Sequence, residues 1–249
     1  MSQFDYQQFH QNHLPHIQPP EATLFVTFRL AGSVPKPVLG QWLAEKKWLE
    51  EETKRVRKLN QQDDAPETKS HEERLLAFRR RWFQKFEDLL HQQAHGPQWL
   101  SDARVAEIVT EALHFRDGKV YRLEAYCVMS NHVHAVFAPL LTEAMAKALA
   151  EQRVESDEFE KYVLSVIMHS LKGFTARQAN LALGRAGQFW EHESYDHVIR
   201  VGGFDRVVNY VLQNPVKAGL VQTWQEWQWS WRRSPAEAES ALASCTANC

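Results

Sequence analysis

Residues 119–140 read KVYRLEAYCVMSNHVHAVFAPL, two apolar runs rich in β-branched and aromatic residues on either side of Ser130-Asn131. Ser-Asn is turn chemistry, and flanking runs of this kind read as consecutive strands of a β-hairpin. Upstream, residues 13–32 (HLPHIQPPEATLFVTFRLAG) carry Pro15, Pro19 and Pro20 as an extended lead-in, then a strand from Leu24 to Leu30. Between and beyond the strands, apolar residues recur at helical spacing. Val105, Ile108, Val109, Ala112 and Leu113 form one face after a cap at Ser101 or Asp102, and Asp117-Gly118 closes that helix. Tyr162, Val163, Val166, Ile167 and Leu171 stripe a long helix from about Phe159 to Leu183, with Gly184 as its stop. A short strand is expected around Asp196 to Arg200, and a last helix from Phe204 to Gln213, ended at Asn214 because a residue before proline disfavours the α region. The order strand, helix, strand, strand, helix, strand, helix predicts an α+β protein with a ferredoxin-like antiparallel sheet and packed helices.

Residues 37–97 do not fit that order. From Pro37 to about Gln93 long charged side chains alternate with Trp42, Trp48, Leu49, Leu75, Leu76, Phe78, Trp82, Phe83 and Phe86 at helical spacing, which predicts two helices forming an insertion. The stretch NQQDDAPETKS between them reads as their connecting loop. The expected organisation is a lead-in and first strand in 1–36, the insertion in 37–97, the remaining core in 98–233 and a tail in 234–249.

With 249 residues, 44% hydrophobic and 24% charged, the chain has the composition of a globular protein and not of a disordered or collagen-like one. No apolar run approaches the roughly 20 residues that cross a bilayer, and MSQFDYQQFH lacks the marks of a signal peptide. A cytoplasmic location is therefore expected. Cys127 lies in an apolar run while Cys245 and Cys249 sit in the tail, so no disulfide framework is suggested. His10, His13 and His16 form a short histidine-rich stretch with no further ligand pattern. The net charge of -2 excludes a histone-like polycation, but the charge is segregated. Between Lys161 and Arg233 nine bases face five acids, whereas Glu143 to Glu160 carries six acids against two bases.

Inside the second hairpin strand, His132-Val133-His134 places two imidazoles on one face, because residues two apart on a strand point the same way. Two converging imidazoles are half of a metal site; the same spacing also suits two half-buried histidines. A zinc hydrolase pattern is absent, since Ala135, Val136 and Phe137 follow. Tyr210 and Asn214 lie four apart, hence on one helix face. From spacing alone they are either a phenol and an amide presented to a site, or a core tyrosine and a helix stop. Trp224, Trp227, Trp229 and Trp231 are expected to pack on the sheet. No Walker loop or dinucleotide fingerprint appears.

Three ordered segments, YCVMSNHVHAVFAPL (126–140), SLKGFTARQANLALGRAGQFWEHESYDHVIR (170–200) and NYVLQNPVKAGLV (209–221), closely resemble the single-tyrosine HUH transposases, in particular the REP-associated tyrosine transposases. The resemblance implies that His132, His134 and Asn214 bind a divalent ion, Mg²⁺ or Mn²⁺. It makes Tyr210 the nucleophile that cleaves single-stranded DNA at a hairpin-containing repeat and forms a 5′-phosphotyrosine. It implies a single-stranded or hairpin DNA partner, a monomer or homodimer, and a place at the nucleoid. Lys172, Arg177, Arg185, Arg200 and Lys217 are the expected phosphate contacts, which would make binding salt-dependent. The runner-up expectation is a domesticated hairpin-binding protein without turnover. Tyr195, beside Asp196 and His197, is the competing nucleophile.

Overall fold

A computed structural model describes residues 22–59, 66–92, 95–143, 147, 151, 159–199 and 202–234. The readings made for His10, His13, His16, Arg200, Cys245 and Cys249, and for the side chains of Tyr162, Leu75 and Leu76, lie outside the described residues. The chain divides into two compact units, one formed by Gly32–Pro97 and the other by the described parts of Leu14–Ala31 and Gln98–Cys249.

The larger unit holds a five-stranded antiparallel sheet among the described residues, in the order β4-β1-β3-β2-β5. Its strands are β1 (Leu24–Arg29), β2 (Tyr121–Val128), β3 (His132–Pro139), β4 (Tyr195–Val198) and β5 (Ser230–Arg232). With α3 (Ala103–Arg116) after β1 and α4 (Phe159–Ala182) after β3, the β4-β1-β3-β2 order is the ferredoxin-like arrangement expected from the sequence. The strand β5 adds a fifth position at the β2 edge, and the sequence reading did not anticipate it.

Strand alternation sorts the sheet into two faces. Leu24, Val26 and Phe28 of β1, Val133, Ala135 and Phe137 of β3, and Tyr126 and Val128 of β2 meet α3 and α4 in the main core. Phe137 is fully buried and stacks on Tyr121 at 4.7 Å between ring centroids. Truncating such a phenylalanine to alanine costs about 3–5 kcal/mol. A register shift between Leu123 and Ala125 inserts Glu124 as an extra residue in β2. That bulge lets Leu123 and Tyr126, three apart, share the core face, while Ala125 and Cys127 turn to the other one. As expected, Asp102 caps α3, its side chain accepting from the Arg104 N–H at 3.0 Å. Trp229 and Trp231 pack against the main core, and the Trp227 indole donates to the Val128 carbonyl.

The opposite face carries α5 (Phe204–Leu212), whose Val207, Val208, Tyr210, Val211 and Leu212 are buried. As expected, this helix stops just before Asn214; a separate turn, α6 (Asn214–Lys217), then follows with Pro215 in its first positions. Proline is tolerated there because the N–H it lacks would have no intrahelical partner.

The smaller unit is an antiparallel pair, α1 (Lys36–Leu59) and α2 (Pro66–Gln92). Pro66 starts α2, so residues 66–70, read as loop, are helical, and residues 60–65 lie outside the described residues. Val34, Leu49, Phe78, Trp82, Phe86 and Leu90 form its own core, with Trp42 edge-on to Phe86 at 5.5 Å. The Trp82 indole donates to Glu45 at 2.9 Å, tying the two helices. The unit is closed at its base by a close backbone approach. Gly96 has φ +75, and a Cβ there would sit 2.2 Å from the Gly32 carbonyl oxygen, so only glycine fits.

Candidate metal centre and nucleophile

Pairing carries the sheet's second face across four strands. Thr27 of β1 lies opposite His134 of β3 and Tyr195 of β4, and His134 lies opposite Cys127 of β2. One step along, Arg29 is opposite His132 and Phe25 is opposite His197. Both histidines of the His-x-His motif therefore point away from the main core, as alternation predicted, and both are buried.

Their Nε2 atoms are 3.0 Å apart, with the rings at 78° to one another. Each Nδ1 is held from behind. The His132 Nδ1–H donates to the Asn131 side-chain oxygen at 2.7 Å, and His134 Nδ1 shares a 2.7 Å hydrogen bond with the Thr27 hydroxyl. Because the Asn131 oxygen only accepts, it fixes His132 in the tautomer whose Nε2 carries a lone pair. The Thr27 hydroxyl can donate or accept. When it donates, His134 Nε2–H can donate to His132 Nε2; when it accepts, two Nε2 lone pairs face one space. A shared cation stabilises the second state, and two metal–nitrogen bonds of about 2.1 Å meeting near a right angle span about 3.0 Å. The observed separation and the oriented outer nitrogens thus fit a divalent ion.

The other groups nearby are sorted by their own chemistry. Cys127 is fully buried, and burial pushes its thiol up to about 12. Asn214 is fully buried, and its Nδ2 donates to the Tyr210 carbonyl at 2.8 Å and the Val211 carbonyl at 3.1 Å. With both amide protons committed to α5, the atom it can offer a hard cation is Oδ1. Four tyrosine side chains are described. Burial raises Tyr121 above its ordinary pKa and pushes Tyr126 up to about 12, and both belong to the main core. Tyr210 stands edge-on to His134 at 5.8 Å and to Phe25 at 5.9 Å between centroids. Tyr195 meets Phe25 at 6.3 Å and His197 at 6.3 Å, and Phe25 in turn stacks on His134 at 5.6 Å.

The basic residues fall into distinct settings. Lys217 is exposed, with its Nζ 4.4 Å from the centre of the Tyr210 ring. Arg177 is exposed on α4. The Arg185 guanidinium stacks 3.6 Å from the Trp99 ring centre and donates to Asn180 and to the Gln188 carbonyl. Lys172 donates to the Glu191 and His192 carbonyls at 3.0 and 3.1 Å. Burial, reinforced by the Arg29 charge, lowers the Lys172 ammonium to about 8. Arg29 was not singled out in the sequence. It is buried opposite His132; burial lowers its pKa, and the Glu191 and Glu193 charges oppose that effect.

Thr27 and Asn131 were also missed. For Thr27 a signal existed: in LFVTFRL, Phe25, Thr27 and Arg29 alternate with Leu24, Val26 and Phe28, placing polar groups at period two in an apolar strand.

No protein-family model matches the sequence, and no curated protein matches it. Among solved structures, the chain is similar to a REP-associated tyrosine transposase bound to a REP hairpin. The TM-score is 0.40 and the identity 13%, over 91% of this chain and 81% of that one.

Proposed function

We propose that the protein is a metal-dependent single-strand DNA nicking and joining enzyme of the tyrosine transposase type, acting on hairpin-containing DNA. The observation that carries this reading is the 3.0 Å pair of His132 and His134 Nε2 atoms, each ring anchored through Nδ1, with the Tyr210 ring against His134. His132, His134 and the Asn214 oxygen are the ligand set for Mg²⁺ or Mn²⁺. None of these ligands is anionic, so a bound cation keeps its attraction for phosphate. When bound, it supplies Lewis-acid stabilisation of charge on a nonbridging oxygen of the scissile phosphate.

In this mechanism the Tyr210 phenol loses its proton to water and its oxygen attacks phosphorus. The O–P bond to tyrosine forms as the P–O3′ bond breaks, and the departing 3′ oxygen takes up a proton. The 5′ end stays on Tyr210 and a 3′-hydroxyl is released. Attack of a 3′-hydroxyl on the phosphotyrosine reverses the step and rejoins DNA, so no nucleotide energy source is consumed. Lys172, Arg177, Arg185 and Arg200 remain the expected phosphate contacts, and the buried Arg29 charge opposite His132 adds a fixed positive field.

The test is Mn²⁺-dependent cleavage of hairpin oligonucleotides taken from the DNA flanking the gene. His132→Ala and His134→Ala should each lose cleavage by 100-fold or more, on the order expected for a lost metal ligand. Hairpin binding by gel shift should remain. Undiminished cleavage in either variant would remove the metal assignment. Hairpin binding by wild type with no cleavage under any divalent ion would favour a binding protein without turnover.

A further inference from the structure

We propose that Lys217 is a positioning residue for the Tyr210 nucleophile, holding a positive charge over its ring and stabilising the phenolate as it attacks or departs. The inference rests on the reading of Tyr210 as nucleophile and gives Lys217 a task other than the phosphate contact expected from its sequence position.

Tyr210 and Lys217 are seven residues apart, two helical turns, with Asn214 between them at the fourth. That face survives the change from α5 to α6 because Gln213, the residue that joins them, is near-helical, at φ -78, ψ -2. Pro215 in the first positions of α6 permits the added turn, and the turn carries Lys217 to the tyrosine. The result is an ammonium 4.4 Å from the centre of a ring that also meets Phe25 and His134 in edge-type contacts.

A cation over an aromatic face is attracted to the ring's negative quadrupole. The attraction grows when the phenol becomes phenolate, because the negative charge delocalises into the ring. It therefore acts more strongly on the attacking and leaving forms of Tyr210 than on the resting phenol, which is the condition for an effect on rate. The same charge serves both directions: it favours the phenolate that attacks phosphorus and the phenolate expelled when a 3′-hydroxyl rejoins the strand. Lys217 forms no bond and transfers no proton in this scheme.

The experiment compares wild type, Lys217→Met, Lys217→Arg and Tyr210→Phe on a fluorescent hairpin oligonucleotide with a single-stranded flank, in Mn²⁺. Single-turnover adduct formation at saturating protein gives the rate, and anisotropy at several salt concentrations gives Kd and its salt slope. Lys217→Met should slow adduct formation by about tenfold or more, with Kd within about twofold and an unchanged salt slope. Lys217→Arg, which keeps a cation able to stack on the ring, should recover most of the rate. An unchanged rate at saturation in Lys217→Met overturns the proposal. If Kd also rises and the salt slope falls by about one, Lys217 is a phosphate contact instead. Absence of an adduct in wild type, or its persistence in Tyr210→Phe, is a separate failure, that of the nucleophile assignment itself.

Discussion

Thr27 on β1 and His134 on β3 are joined by a 2.7 Å hydrogen bond between the hydroxyl and Nδ1, across paired strands and 107 residues apart in the chain. The bond sets which nitrogen of His134 faces His132, so a residue that never touches the ion governs whether the pair can bind one. Thr27→Val keeps the shape and removes the hydroxyl. Mn²⁺ affinity, followed by calorimetry, should fall about 10–100-fold, and Thr27→Ser should restore it. Equal affinity in Thr27→Val and wild type would show that His134 needs no outer anchor.

Gly96 lies close against the backbone of Gly32 and Ser33 in the smaller unit. An added Cβ would lie 2.2 Å from the Gly32 oxygen and 2.7 Å from the Ser33 Cα, and neither is a side chain that can swing aside. Gly96→Ala should therefore cost about 2–3 kcal/mol, read as a lowered midpoint in urea. Gly118→Ala provides the control. It shares a positive φ but has nothing within 4 Å of its would-be Cβ, so its loss should be smaller.

The approach of Gly32 to Gly96 also brings the two ends of the smaller unit together. Replacing residues 37–93 with a short linker should leave the sheet unit folded, with nicking of a minimal oligonucleotide measurable and substrate choice or oligomeric state altered. Loss of the native circular dichroism spectrum would show that the helical pair is part of the folding core.

Lys172 makes a pH-dependent contribution whose sign follows from its lowered pKa. The folded protein holds it at about 8, below the ordinary lysine value of 10.5, because burial disfavours the ammonium. Between these values the unfolded chain binds a proton that the folded chain does not, so stability rises with pH across that window. Below about 8 both states are protonated and the cost of the buried charge is fully present. Relative to Lys172→Met, wild type should gain stability from pH 7.5 to pH 10 in urea titrations. A difference that stays constant across that range would mean the ammonium is not destabilised by burial.

The periodicity of residues 119–140 made the hairpin and the shared direction of His132 and His134 legible, because alternation is local. Pairing between distant strands is not local. Nothing near Thr27 in sequence announces His134, and nothing in Glu124 announces the bulge that returns Cys127 to the histidine face. The stop before Pro215 was legible, but the turn α6 that follows it was not, since Pro215 tolerates the start of a turn as well as it marks a stop. The strand β5, three residues long in a tryptophan-rich segment, has too little alternation to be read as a strand. Charge counts located basic residues but not their partners: Lys172 and Arg185 are both engaged with main-chain carbonyls.

The chemistry turns on which tyrosine is the nucleophile. Wild type incubated with Mn²⁺ and a 3′-labelled hairpin oligonucleotide should form a protein–DNA adduct stable to denaturant, and peptide mass spectrometry should place the nucleotide on Tyr210. Tyr210→Phe should form none, while Tyr195→Phe, which removes a hydroxyl from a ring packed on Phe25 and His197, should still form it. An adduct mapped to Tyr195, or one that survives in Tyr210→Phe, would contradict the central claim.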